Sequence, residues 1–454
     1  MASLTTITSE LQIHIARHLD IEALLALSLV SKQLCSIAQD VLYVDVSLQE
    51  NITENAKVHS DIRSFYYTMK TRPHLCRRVR HLSMVPHDAR LKLIVPAEIF
   101  TGLGLVPAVI IKVSEAALAG ILLTMLPNLT SLNMTMIAYD QNGEMPILAS
   151  NPIQRLFGTE FDPQQLRNIP GLKKVETLRL WAPTIESHWM TLPQLSQLYL
   201  HPEGIRALSD RGAGLLEIES VVELLPLSLP KLTALSLTVK TTWLTPQNRP
   251  QNHSQPVHGF PELLRRLPGI TNLEIFFENS EDAGDMSSVT DCNELGKTLA
   301  VFTQTLRALT IHTLPDDGQI LPIQRLNHFT KLQELSISED ALLDDNTHLE
   351  YADEPGMPPI TQLPPQLERL EIFRVSERVL EFWDFLISNV EGFPNLKTVV
   401  LHTDLRRTRI PVWRVGGSYL GYTQTRLEKW LSWVVEFSFR DVGLDVVVWY
   451  LGEE

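Results

Sequence analysis

One hydrophobic pattern returns ten times along this chain: apolar-x-x-apolar-x-apolar. It first stands at Val79, Leu82 and Met84, then at Leu129, Leu132 and Met134. Further copies begin at Val175, Leu195, Leu232, Ile270, Leu306, Leu332 and Leu367, and the last is Leu396, Val399 and Leu401. The final two apolar positions of each copy alternate with a single residue, the period of a strand with one face buried. Six copies follow an apolar-proline pair: Leu126-Pro127, Leu192-Pro193, Leu229-Pro230, Leu267-Pro268, Leu363-Pro364 and Phe393-Pro394. Proline disfavours helix in the residue ahead of it, so each pair closes one element before the next strand begins. Helical runs lie upstream, from Glu115 to Met125, Ile218 to Leu225, Glu262 to Leu267 and Leu380 to Val390. The repeating unit is therefore helix, short turn, strand. A further copy is expected to be hidden between Met84 and Leu129.

Residues 7–48 follow another rhythm. Leu11, Ile15 and Leu19 recur at i, i+4, i+8, one face of a helix. Ser9 with Gln12 three residues on predicts a capping box at its start. Asp20 offers an N-cap for a second helix whose apolar face carries Leu24 and Leu27. Ser31 precedes a third, with Leu34, Ile37, Val41 and Leu42 at helical spacing. Leu42, Val44, Val46 and Leu48 then alternate with polar residues, so the segment leaves its third helix as a strand. Three short helices bury too little surface to stand comfortably alone and need something to pack on.

This stretch resembles an F-box, the adaptor-binding segment of cullin-RING ubiquitin ligase receptors. The resemblance rests on Ile7-Thr8-Ser9-Glu10-Leu11, Ile15, Leu19, Leu24, Leu27, Val30-Ser31-Lys32, Ala38 and Leu42-Tyr43. Thr8 departs from the family's usual proline, and Leu34 stands where the family often has tryptophan. The resemblance implies that Ile7, Thr8, Glu10, Leu11, Ile15, Leu24, Leu27, Val30 and Leu34 meet a Skp-type adaptor, and through it a cullin scaffold. The blander alternative is a helical cap that closes the repeats and binds nothing.

The repeats themselves resemble a leucine-rich repeat solenoid. Their spacing is longer and less even than the family norm, as in the irregular repeats of fungal-type F-box receptors. The expected fold class is α/β: a three-helix F-box over residues 5–48, a solenoid over 49–414 and a C-terminal cap over 415–454. Strands would line the concave face and helices the convex face. The cap is read from Leu427, Trp430, Leu431 and Val434 at helical spacing and from an apolar strand, Val442 to Leu451. Solenoid ends must be covered to avoid aggregation.

In such a strand the pattern residues face the core, and the residue just after them faces the concave side. Six of these ten positions are aromatic or histidine: Trp181, His201, Phe276, His312, Phe373 and His402, in a chain with 7% aromatics. The position between the last two apolar residues adds Arg179, Tyr199, Glu274 and Glu371. Large aromatics beside charged groups are the composition of interface hot spots, so these ten residues are the candidate surface for a protein substrate. The alternative for each is satellite core beneath the following loop.

Composition narrows the classes. A formal charge of −14 argues against a general nucleic-acid binder. Cys35, Cys76 and Cys292 are far apart and odd in number, so neither a disulfide framework nor a zinc motif is built from them. The N-terminus lacks a basic region and a cleavable apolar core, and a cytoplasmic or nuclear protein is expected. Residues Ala116 to Tyr139 carry no charge, but Pro127, Asn128 and Asn133 interrupt them. A helix followed by a strand is expected there, not a membrane span.

Three polar insertions, Lys240 to Pro261, Glu278 to Ser288 and the acidic stretch Glu339 to Pro365, are expected to be loops. No phosphate-binding glycine loop and no His-Glu-x-x-His occurs. Gly416 to Gly421 resembles a nucleophile elbow only superficially, since Leu420 holds the second glycine position. No catalytic residue, cofactor or metal is therefore expected. The rival readings are a leucine-rich scaffold or ligand sensor that never meets a ligase, and an enzyme with a site between the insertions.

Overall fold

The ten repeated patterns become ten strands, and one further strand flanks them at each end. The computed structural model describes residues 7–48, 61–86, 90–91, 113–136, 152–181, 187–200, 231–240, 263–278, 289–313, 319–324, 326–343, 363–376, 379–403 and 444–450. Its contacts divide into two compact units, Met1–Pro226 and Leu227–Glu454.

The first unit opens with helices α1 (Ser9–Ala16), α2 (Ile21–Ser28) and α3 (Lys32–Leu42). The chain then enters β1 (Asp45–Leu48), the expected strand exit. Next come α4 (Asp61–Thr71), β2 (His81–Met84), α5 (Glu115–Met125), β3 (Ser131–Thr135), α6 (Pro152–Phe157), β4 (Thr177–Trp181) and β5 (Gln197–Leu200). The five strands pair in parallel and in chain order. One register line runs Val46, Leu82, Leu132, Leu178 and Leu198. Because β2 pairs directly with β3, no strand intervenes between them in the sheet, and among the described residues the copy expected between Met84 and Leu129 does not appear. Instead, within that interval, Arg90–Leu91 pairs antiparallel with Val113–Ser114.

The second unit carries β6 (Ala234–Lys240), β7 (Asn272–Glu278), α7 (Cys292–Leu299), β8 (Ala308–His312), β9 (Glu334–Ser338), α8 (Glu339–Leu342), β10 (Arg369–Phe373), α9 (Val379–Ser388), β11 (Thr398–Thr403) and β12 (Asp445–Tyr450). Its seven strands are again parallel and in chain order. The register line Leu235, Leu273, Leu309, Leu335, Leu370 and Val399 is a continuous apolar ladder.

All thirty pattern positions are buried. In the second unit the residues after the leading position tie one repeat to the next. Thr271 accepts from Ala308 N–H, Arg307 from Glu334 N–H and Gln333 from Arg369 N–H, each through its backbone carbonyl. Parallel strands stacked this way lean on their neighbours, the physical basis of a solenoid.

The uncharged stretch is a helix followed by a strand. Ser114 caps α5 by accepting from Ala117 N–H, and Ala116, Leu118, Ala119, Ile121, Leu122 and Leu123 are all buried. Among the described residues no helix is long and apolar enough to cross a membrane.

Two local expectations are corrected. Ser9 is not the N-cap of α1: Thr8 holds that position in extended backbone, with no side-chain cap bond. Gln12 is turned inward instead, its amide donating to the Ile7 carbonyl at 3.2 Å. The acidic insertion does not begin as a loop at Glu339. The run Ala341-Leu342-Leu343 is apolar enough to be buried, and it draws residues 339–342 into α8. Glu339 is itself buried and accepts from Ser376 N–H at 3.0 Å. Residues 344–362 of that insertion, most of the other two, the helices expected at Ile218 to Leu225 and Leu427 to Val434, and Gly416 to Gly421 lie outside the described residues.

Candidate functional site

Two surfaces stand out: the outer faces of the N-terminal helices, and the side-chain rows on the strands.

The three N-terminal helices close on a small core of Ala16, Leu24, Leu34, Ile37 and Ala38, with Ile13, Leu19, Leu27, Val41 and Leu42 packed against it. Asp20 caps α2 by accepting from Ala23 N–H at 2.7 Å, and Ser31 caps α3 by accepting from Leu34 N–H at 3.2 Å. Both caps satisfy backbone donors that a helix start leaves orphaned. Gln12 bridges α1 to α3, accepting from the Gln33 side chain at 3.2 Å. The backbone N–H of Glu10 itself and the Thr8 hydroxyl hold the Glu10 carboxyl below the ordinary carboxylate value.

Outside this core the helices carry six large apolar side chains in solvent. Leu11 and Ile15 lie at i, i+4 on α1; Ile21 and Leu25 lie at i, i+4 on α2, Leu29 is its C-cap, and Val30 follows. Their exposures run from 41% at Ile15 to 88% at Leu29. Scattered exposed leucines are ordinary, but six within twenty residues form a surface built to be covered. Leu24 and Leu34, which the F-box resemblance implied to meet the adaptor, are buried inside this core, and Leu27 packs against it. Ile21, Leu25 and Leu29 were not among the expected contacts. The segment IEALLALS is apolar nearly all round, so its periodicity does not say which face turns inward.

On the strands of the first unit, Arg179 and Tyr199 are direct register partners. The guanidinium sits 4.9 Å from the Tyr199 ring centroid, a cation–π contact. Trp181 closes β4 half-buried. His201 lies outside the described residues.

The second unit brings more together. Phe276 stacks on His312 with centroids 4.6 Å apart, His312 meets Phe373 at 4.5 Å, and Phe373 stacks on His402 at 4.7 Å. Four rings thus form one unbroken row from β7 to β11. One row below them lie the carboxylates. Glu274 reaches to 3.9 Å of the His312 ring, and Glu371 bonds the His402 ring at 2.5 Å. Glu371 also accepts from the Ser336 hydroxyl at 3.1 Å, and Arg369 lies 3.4 Å away. The His402 bond, aided by Ser336 and Arg369, outweighs burial and holds the Glu371 carboxyl down to about 2. Trp449, the register partner of His402 and largely exposed, extends the row onto β12. It is not among the candidate surface residues because β12 lacks the repeated frame that flagged the other positions.

This arrangement offers ring faces, fixed negative charge and hydrogen-bonding imidazoles on a rigid sheet. Among the described residues no group of three or more histidine, cysteine, aspartate or glutamate side chains converges to hold a metal.

Comparison with known proteins agrees with the N-terminal geometry: the model of the F-box domain family matches residues 4–43. No curated protein matches the chain. Residues 4–43 are an F-box domain, and the parallel strands and helices that follow it repeat as in a solenoid of the leucine-rich repeat type.

Proposed function

We propose that this chain is the substrate-recognition subunit of a cullin-RING ubiquitin ligase. The F-box docks a Skp-type adaptor, and the side-chain rows of the solenoid hold the protein to be ubiquitinated. The chain performs no chemistry of its own. It acts by proximity, raising the local concentration of a substrate lysine near a ubiquitin-charged enzyme held elsewhere in the complex.

The observation that carries this reading is the exposed apolar surface of the F-box. Leu11, Ile15, Ile21, Leu25, Leu29 and Val30 are left in water while the core behind them is complete. In this reading those six contact the adaptor, whereas Leu24, Leu27 and Leu34 hold the helices that present them. For the substrate, the ring row of Phe276, His312, Phe373 and His402 supplies aromatic anchors, and Glu274 and Glu371 supply charge. Arg179 with Tyr199 and Trp181 forms a separate patch of the same type.

Co-purification of the full chain with a Skp-type adaptor tests the reading. The wild-type chain retains the adaptor. Leu25→Asp combined with Leu29→Asp loses it while the melting temperature stays unchanged, because both side chains are already in solvent. Adaptor retention by that variant at wild-type levels overturns the proposal.

A further inference from the structure

Four arginines converge on one cleft in the first unit of this acidic chain. Arg17 comes from the end of α1, and Arg77, Arg78 and Arg80 come from the turn that leads into β2. The cleft has a volume of about 560 Å³, within the range of small-molecule sites.

The turn is held in place by its backbone. Val79, the leading residue of the first repeat, is buried, so its charged neighbours are pushed outward. The Arg77 carbonyl accepts from the Asn128 side chain at 2.8 Å, and the Arg80 carbonyl accepts from Thr130 and Ser131 N–H. The Arg80 and His81 N–H groups both donate to the Val44 carbonyl. The arginines therefore stand on a scaffold that needs little rearrangement to bind.

Charge is unbalanced at this site. Arg78 pairs with Asp40 at 3.1 Å. Among the described residues Asp45 is the only other carboxylate lining the cleft, and His81 stands at its register partner position. Arg17, Arg77 and Arg80 have no side-chain ion-pair or hydrogen-bond partner among the described residues. Among the described lining residues, four guanidiniums against two carboxylates leave about two positive charges, which a doubly or more highly charged anion would neutralise. Guanidinium forks bind phosphate oxygens in pairs, so several of them match a chain of phosphates better than a lone carboxylate.

The site does not coincide with the proposed adaptor surface. Ile13 and Arg17 line the cleft on α1, whereas Leu11 and Ile15 form its exposed apolar stripe. Residues two apart on a helix are separated by about 200°, so the two faces point away from each other. We infer that this cleft binds a compact polyphosphate group, held by Arg17, Arg77, Arg78 and Arg80, independently of the adaptor. The inference stands whether or not the chain serves a ligase.

Calorimetric titration of the full chain at low salt tests it, with inorganic triphosphate, adenosine triphosphate, inorganic phosphate and a singly phosphorylated serine peptide as probes. Triphosphate is expected to saturate one site, and single phosphate to bind far more weakly. Equal affinity for the nucleotide assigns the site to the phosphate chain alone; tighter nucleotide binding adds a contact to the apolar floor at Ile13 and Val41. Arg77→Ala with Arg80→Ala is expected to weaken triphosphate binding by about a hundredfold, tenfold for each charged hydrogen-bonding group. Asp40→Asn is expected to tighten it several-fold, a gain that misfolding cannot mimic. Absence of saturable triphosphate binding, unchanged affinity in both variants, or a preference for the phosphopeptide over triphosphate each overturns the inference.

Discussion

His312 and Phe373 touch across a strand that separates them. Their ring centroids are 4.5 Å apart, although β9 lies between β8 and β10. Two strand spacings would set them about 9.6 Å apart. The gap closes because the intervening residue is Ser338, small and buried, whose hydroxyl accepts from Thr313 N–H at 3.0 Å. Both rings lean over it, and the row from Phe276 to His402 stays continuous.

Ser338→Val therefore acts twice. It inserts a branched side chain beneath the rings and leaves the buried Thr313 N–H without its acceptor. A loss of about 1–3 kcal/mol is expected in urea unfolding. Ser338→Ala, which removes only the acceptor, is expected to lie at the low end and to keep the ring contact, visible as unchanged ring-current shifts of the His312 protons. A neutral Ser338→Val would show that the close approach needs no small residue.

Glu371 ties stability to pH. Its carboxyl is held at about 2, below the ordinary glutamate value of 4.5, chiefly by the bond to His402. A depressed folded value means that this contribution is fully present above about pH 4.5. It is lost as pH falls toward 2, where the folded protein must also take up the proton. Glu371→Gln is expected to cost up to about 3 kcal/mol near pH 6 and progressively less toward pH 3. Urea unfolding of both proteins across that range checks it; a difference independent of pH would rule the bond out as the source.

Neighbouring leucines of α2 have opposite roles. Leu24 is in the F-box core and Leu25 is in solvent. Leu24→Ala is expected to destabilise the F-box by roughly 2–5 kcal/mol, and Leu25→Ala by about 0.5 kcal/mol or less. Adaptor affinity should respond directly to Leu25→Ala. Equal stability losses at the two positions would place the helix face incorrectly.

The same contrast tests the solenoid frame. Leu309 and Leu370 lie on one register line with Leu335 between them. Each is expected to cost roughly 2–5 kcal/mol as alanine, whereas Thr310→Ala on the opposite face costs about 0.5 kcal/mol or less. Thermal unfolding of the three variants decides it.

Gly120 sits in the middle of α5, where alanine would normally favour the helix. A Cβ there would overlap the Leu156 carbonyl oxygen of α6. Gly120→Ala is therefore expected to destabilise by about 1–3 kcal/mol instead of stabilising, again read by thermal unfolding.

The sequence by itself determined the repeat frame and the F-box. Strand burial depends on a local alternation, and Leu82, Leu198 and Leu370 carry it within three residues of their own repeat. Caps such as Asp20 and Ser31 are equally local, since each bonds a backbone donor three residues away. The side-chain rows were legible for the same reason: once the frame is known, Phe276, His312, Phe373 and His402 fall at one position of it.

Only the tertiary structure decided which groups meet. Nothing near His312 in the chain says that Ser338 will let it reach Phe373, because that contact spans three strands. Nothing in IEALLALS says that Leu24 turns inward and Leu25 outward, because an almost uniformly apolar helix carries no facing signal until its partners are in place. The arginine cleft is assembled from residues about sixty positions apart, Arg17 and Arg77 to Arg80, brought together when the turn before β2 folds against the F-box. Local patterns dictate elements because they act through the chain's own backbone; sites arise where elements distant in sequence pack, and that is settled by shape and burial across the whole unit.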